Sequence, residues 1–287
     1  MLQEFIDYLE MRQKSESTIS SYKRAIKDFR RFINKPLLKA KITDVDGYVA
    51  FKRQQGNKNT TINVKLNGIK RFYKLMERNH GIGRETRKII NYELLNVVET
   101  ERDVLDEDDV MYMLDELEDK RGKALLAVMF QTGMRISELV NLKKHNIWER
   151  EEFVIVNITK SKRNKTRKVF MNHYYYSFVK DYLKNRKGKS KYIFITSKNR
   201  NPEYSYQPFS TNKLRQRVVE ISENILGKRV LPHDYRASCF TYLHKKGVDI
   251  YTIAEIAGHD NIQTTKRYIY SDDEDTAMKA LAAFKDK

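Results

Sequence analysis

The stretch from Leu231 to Tyr270, LPHDYRASCFTYLHKKGVDIYTIAEIAGHDNIQTTKRYIY, constrains the fold more than any other part of the chain. Cys239, Phe240, Leu243, Val248, Ile250, Ile253, Ile256 and Ala257 recur at intervals of roughly three and four residues, the period of a helix with one buried face. Punctuation cuts that period into pieces. Pro232 suits the first position of a helix. Gly247 closes that helix, Asp249 caps the next, and Gly258 closes it in turn. Asn261 is placed to cap a last short helix through Gln263, Thr264 and Thr265, which would carry Tyr268.

These helices carry groups that an apolar core does not require. His233 and Arg236 share a face at i, i+3 spacing, His259 follows the Gly258 stop, and Tyr268 comes nine residues after that histidine. Each has an ordinary explanation alone. A histidine after a helix-ending glycine is usually a cap, a His/Arg pair at helical spacing is usually a solvated face, and Tyr268 is one of 18 tyrosines. Together they form a set with no acid pair, metal-ligand cluster or glycine-rich phosphate loop beside them. That set suits a phenol oxygen attacking a phosphodiester while fixed donors hold the charge developing on the non-bridging oxygens.

Composition narrows the partner. At 287 residues the chain suits two domains, each with its own core. Lys plus Arg is 56 against 38 Asp plus Glu, a net charge of +18 that points to a polyanion, nucleic acid before membrane. No run approaches the roughly 18 to 20 apolar residues that a membrane span needs, and the N-terminus lacks a signal-peptide pattern. Cys239 is the single cysteine, which excludes an internal disulfide and a thiolate metal cluster and fits a reducing cytoplasm. It falls on the apolar face and reads as a core residue.

Residues 1 to about 97 read as all-helical. Leu2, Phe5, Ile6 and Leu9 open the series, and Tyr22, Ile26, Phe29, Phe32 and Ile33 line a second helix that Pro36 stops. Ile42, Val45, Val49 and Phe51 suggest a third helix, and Ile62, Val64, Leu66, Ile69, Phe72, Tyr73 and Leu75 a fourth. Lysines and arginines interleave with these stripes. His80 to Arg102 reads as a linker, with the domain boundary near residue 98.

The second domain opens at Asp106, a helix cap with Asp109 three residues on. An apolar helix, ALLAVMFQ, runs into QTGMRISEL, where Gly133 breaks it and Arg135 precedes a new one. Phe153 to Ile158 reads as a β-strand, Arg167 to Met171 as its partner, and TKSKRNKT between them as a basic hairpin loop. Helices are expected over Tyr174–Leu183 and Thr211–Ile225, with a third strand over Tyr192–Ile195. After Tyr270 an acidic start and the stripe Met278, Leu281, Ala282 and Phe284 suggest a short tail helix.

Taken in order, these segments resemble the tyrosine recombinases, the phage-integrase and Xer group. QTGMRISEL is similar to the family's first box, T-G-x-R-x-S-E-L, and the stretch from Leu231 to its second, which runs H-x-x-R, L-G-H, T-T-x-x-Y. Ser161 to Arg167 aligns with G-K-G-N-K-E-R, although Ser161 and Arg163 replace both glycines, and Ala237 stands where many relatives have His. The resemblance implies a mainly α fold with a small antiparallel β-sheet (α+β): a helical, SAM-like core-binding domain at 1–97 and a catalytic domain at 98–287. It makes Arg135, Lys162, His233, Arg236 and His259 catalytic residues, with Glu138 a supporting carboxylate and Tyr268 the nucleophile. Spacing prefers Tyr268 over Tyr270, and Lys160 or Lys165 are alternatives to Lys162 as general acid. Lys23, Lys65, Lys70, Arg71, Arg163 and Lys165 become DNA contacts. The implied activity is site-specific recombination or integration through a 3′-phosphotyrosyl intermediate, with no metal, ATP or other cofactor. Its partner would be double-stranded DNA bearing a specific site, bound by a homotetramer that admits accessory proteins, in the cytoplasm and away from membranes. The competing readings are a type IB topoisomerase, a non-catalytic DNA-binding module and a metal-dependent nuclease; the last would need clustered carboxylates.

Overall fold

The computed structural model describes residues 1–97, 104–159, 166–197, 206–259 and 261–266. Lys160, Lys162, Arg163, Lys165, Tyr268, Tyr270, the expected boundary near residue 98 and the expected tail helix lie outside the described residues. The chain is mainly α-helical with one small antiparallel sheet, and it divides into two compact units, Met1–Thr100 and Glu101–Lys287. No described helix is long and apolar enough to cross a membrane.

The first unit is built from α1 (Leu2–Met11), α2 (Glu16–Ile33), α3 (Ile42–Gln54) and α4 (Asn59–His80). Ser15 starts α2 by accepting a hydrogen bond from the Thr18 amide, and Asn34 ends it in the left-handed conformation. The apolar stripes of all four helices meet in one core containing Phe5, Ile26, Phe29, Tyr48, Leu66 and Phe72. Gly68 admits Tyr22 at this packing: a Cβ there would lie 3.0 Å from the tyrosine ring. The stretch expected as a linker is partly structured. Arg84–Arg87 forms α5 and Lys88–Asn91 a 3-10 turn, with Thr86 and Ile89 buried and the Thr86 hydroxyl donating to the Ala40 carbonyl at 2.7 Å. Two inward residues in so short a run leave no readable period.

The second unit is arranged around α7 (Lys120–Thr132), in which Ala124 to Phe130 are all buried. Before it stands α6 (Glu107–Glu116), capped by Asp106; after it come the single turn α8 (Ile136–Leu139) and the sheet. Strands β1 (Ile147–Glu149), β2 (Val154–Ile158) and β3 (Arg167–Met171) pair antiparallel in that order, with Val154 opposite Met171 and Ile158 opposite Arg167. Helices α9 (His173–Asn185), α10 (Thr211–Leu226), α11 (Pro232–Lys245), α12 (Ile250–Ala257) and α13 (Ile262–Lys266) complete it. The third strand is therefore Ile147–Glu149, not Tyr192–Ile195, whose Tyr192 and Ile195 form only isolated bridges to Lys143 and Pro208. Ile193, Phe194 and Ile195 are consecutive and all buried, so they lack the alternation of a strand with one solvated face.

Candidate active site

Two helix ends converge on Arg236 of the second box. Helix α7 stops at Gly133, whose φ of 55° is left-handed and whose absent side chain makes room for Phe240; a Cβ would sit 2.7 Å from that ring. Helix α12 stops in the same way at Gly258, φ 64°. Both ends present carbonyl oxygens that no further helical turn satisfies, at the negative pole of the helix. Arginines satisfy them. Arg236 donates from Nη1 to the Gly133 carbonyl and from Nη2 to the Ala257 carbonyl at 2.6 Å, and Arg167 donates from Nε to the Ile256 carbonyl at 2.9 Å.

Arg236 is 1% exposed, so the solvated-face explanation of the His233/Arg236 pair fails for one member and holds for His233, which is exposed. Pro232 begins α11 at its first turn, and the Asp234 carboxylate accepts from the Leu231 amide at 2.8 Å. This cap fixes the turn that separates the two side chains. The Arg236 guanidinium lies 4.7 Å from the centre of the Phe240 ring, and its Nη2 reaches His259 Nε2 at 3.0 Å. A guanidinium only donates, so Nε2 accepts; Nδ1 then carries the proton and donates to Thr265 Oγ1 at 2.9 Å. Burial and the charges of Arg236, Arg135, Arg167 and His233 push the His259 imidazole down to about 4, which leaves it neutral at physiological pH.

Arg135 sits at the start of α8, where its amide donates to Glu138 Oε2 at 2.8 Å and its Nη1 to Oε1 at 3.2 Å. The Glu138 side chain is 3% exposed, whereas that of Arg135 is 36% exposed, so the carboxylate is interior and the guanidinium has an open side. Arg167 grips the same carboxylate with two further bonds, Nη1 to Oε1 at 2.8 Å and Nη2 to Oε2 at 2.7 Å. Burial would raise the Glu138 carboxyl, but the hydrogen bonds and charge of Arg167, joined by those of Arg135, hold it below its ordinary value. In the sequence Arg167 stands at the start of a strand and under the last residue of G-K-G-N-K-E-R, with no role attached to it. The signal for it was a charge on the inward face of an alternating strand, shared with Val169 and Met171.

The structure thus pairs Arg135 with Glu138 and Arg236 with His259. The two pairs meet at the end of α12, where Arg167 ties Glu138 to the Ile256 carbonyl and Arg236 bonds the Ala257 carbonyl. His233 is close enough for its charge to act on His259. The DNA contacts expected on the first unit are not equivalent. Lys23 is exposed, whereas Lys65 donates to Asp28 at 2.7 Å, Lys70 donates to the Tyr92 carbonyl at 2.5 Å, and Arg71 hydrogen-bonds Tyr8. Among the described residues no three His, Cys, Asp or Glu side chains group as metal ligands.

Residues 103–275 match the sequence profile described as the phage integrase family, and residues 1–80 that of the phage integrase N-terminal SAM-like domain. The chain is similar to a tyrosine recombinase XerA of Pyrococcus horikoshii, with 29% identity over 93% of this chain and 88% of the relative. Among solved structures it is similar to the Tn1549 transposon integrase in complex with transposon right end DNA, at TM-score 0.75 and 19% identity over 99% and 98% of the two chains. It is also similar to the XerH site-specific recombinase in a post-cleavage complex with its palindromic difH substrate, at TM-score 0.73 and 19% identity over 91% and 78%. At these identities the two structures speak for the fold.

Proposed function

Because this chain belongs to the phage integrase family, and is thereby a tyrosine-type DNA breaking and rejoining enzyme, we propose that it recombines double-stranded DNA at a specific site through a 3′-phosphotyrosyl intermediate, without metal or ATP. The observation that carries the reading is the linked set of fixed donors: Arg236 buried and bonded to His259, with Arg135 open beside them on Glu138. Such a set suits an anion whose charge rises during reaction, because the donors are already oriented and need no rearrangement. The arginines do the work a metal ion does elsewhere.

In the proposed step the Tyr268 oxygen attacks the phosphorus of a DNA phosphodiester. The phosphorus–tyrosine bond forms, the bond to the 5′ oxygen breaks, and that oxygen leaves as a 5′ hydroxyl. His233, exposed at the start of α11, takes the phenol proton. Arg135 and Arg236 hold the non-bridging oxygens, Arg135 through its open face and Arg236 beside His259, whose Nε2 accepts from Arg236 and orients it. Lys162 gives its proton to the leaving oxygen. Attack by the 5′ hydroxyl of a partner strand reverses the step and releases the tyrosine, so the covalent link conserves the bond and no nucleotide cofactor is consumed. The first unit grips the duplex through phosphates, with Lys23 one of the exposed contacts. A tetramer of this chain assembled on two DNA sites completes the reading.

The test uses nicked suicide duplexes with a randomised core, in excess EDTA, comparing wild type with Tyr268→Phe and Tyr270→Phe. A covalent protein–DNA adduct lost only in Tyr268→Phe is the expected result. An adduct that forms only when magnesium is restored would sink the metal-free mechanism.

A further inference from the structure

Arg167 is held more completely than any ion pair at a surface requires. All three of its guanidinium nitrogens are engaged: Nη1 and Nη2 on the two oxygens of Glu138, Nε on the Ile256 carbonyl. Its side chain is 8% exposed. Its stem runs against Gly258, where a Cβ would lie only 2.9 Å from Arg167 Cδ, so a side chain before His259 and an arginine at 167 compete for one space. The three elements it joins are the start of α8, which bears Arg135, the first residue of β3, and the end of α12, which leads into His259.

Burying a carboxylate with two guanidiniums is a poor way to gain stability, since an apolar set of the same volume often does as well or better. Its use is geometric. A planar fork on a planar carboxylate fixes both the position and the rotation of Glu138, and Glu138 is the group that holds the Arg135 amide and guanidinium. We propose that Arg167 is a positioning residue for strand cleavage: it locks Glu138, and through Glu138 the open guanidinium of Arg135, at a set distance from the α12 end that carries His259. This rests on the proposed role of Arg135 in holding the DNA phosphate. Arg135 and Arg236, whose Nη2 bonds the Ala257 carbonyl at that end of α12, are then two phosphate-holding side chains kept at one spacing, where a displacement of about 1 Å costs up to about a hundredfold in rate.

The experiment is a double-mutant cycle on single-turnover adduct formation, using the duplex recovered from the adduct selection at saturating concentration. Wild type is compared with Arg167→Lys, Arg167→Gln, Arg135→Gln and the two combinations with Arg135→Gln, with thermal unfolding and DNA binding measured on each. Arg167→Lys keeps the charge beside Glu138 but loses the fork, and it decides the matter if Arg167→Gln does not fold. The expected result is a loss of about tenfold for Arg167→Lys and about a hundredfold for Arg167→Gln, with DNA affinity little changed. In the Arg135→Gln background the further loss shrinks to less than about threefold, because the two residues act as a unit. Losses that multiply in full in both backgrounds, or a wild-type rate in Arg167→Lys, overturn this proposal alone. A wild type that yields no Tyr268-dependent adduct overturns the underlying reading and this proposal with it.

Discussion

In the first unit one carboxylate, Asp28, gathers Lys52 at 3.0 Å, Lys65 at 2.7 Å and the Tyr48 hydroxyl at 2.7 Å, binding α2 to α3 and α4. In the second unit Glu138 gathers two guanidiniums, and a third, Arg236, donates to helix-end carbonyls and an imidazole. The first arrangement spends its cations on holding helices together, and the flexible ammonium groups are directed inward. The second seats Arg236 on neutral acceptors, which orient a guanidinium without cancelling its charge, while Arg135 and Arg167 share the single carboxylate of Glu138. A net charge of +18 is therefore not evenly available to an anion. In the second unit two guanidiniums share the one carboxylate of Glu138 and a third is seated on carbonyls, so positive charge is left over there, and Arg135 keeps an open side.

Substitutions separate the two regions. Replacing Arg236 with Gln is expected to slow adduct formation about a thousandfold, and to cost stability as well, since it empties a buried seat between two helix ends. Single-turnover kinetics beside thermal unfolding measures both. Asp28→Asn is the converse case: unfolding in urea should show a loss of about 2 kcal/mol, because Lys52, itself 6% exposed, loses its carboxylate, while the cleavage rate of bound DNA stays at the wild-type value. A large rate effect there would erase the distinction between the units.

The pH dependence of stability sharpens the contrast. The folded His259 sits at about 4 against an ordinary 6.5, so between those values the unfolded chain binds the proton and the folded chain does not. Stability from this group is present above about pH 6.5 and is lost as the pH falls toward about 4. His259→Gln should lose less stability than wild type across that window in thermal unfolding. The smallest expected effect is on the first unit's surface: Lys23→Gln should leave the rate of bound complex alone and reduce the log–log salt slope of DNA binding by about 0.9.

Much of the second box was legible because its punctuation is local. Pro232, Asp249, Gly258 and Asn261 act within a turn of themselves, and the helices they bound lie where the spacing put them. Contacts between distant segments were not legible. The burial of Arg236 depends on Gly133, 103 residues away, and the burial of Arg167 on Glu138, 29 residues away. No periodicity reports such pairs. Strand β1 was missed because Ile147–Glu149 is three residues long and ends in polar sequence, whereas Tyr192–Ile195 carried the better strand composition but packs as a continuous buried run. Lys65 and Lys70 read as surface cations because the sequence does not show that Asp28 and the Tyr92 carbonyl face them.

In the proposed mechanism fixed guanidiniums, in place of a metal ion, hold the charge of the DNA phosphate under attack. The most direct measurement compares cleavage of an ordinary phosphodiester with that of the same duplex carrying one uncharged methylphosphonate at the scissile position, in chelator, for wild type and Arg135→Gln. On the phosphodiester the variant should be slower by about a hundredfold; on the methylphosphonate, which has lost the charge Arg135 is there to hold, the two proteins should react within a few-fold of each other. An equal loss on both substrates would contradict the account, because it would mean that Arg135 matters for the shape of the site and not for the charge of the phosphate.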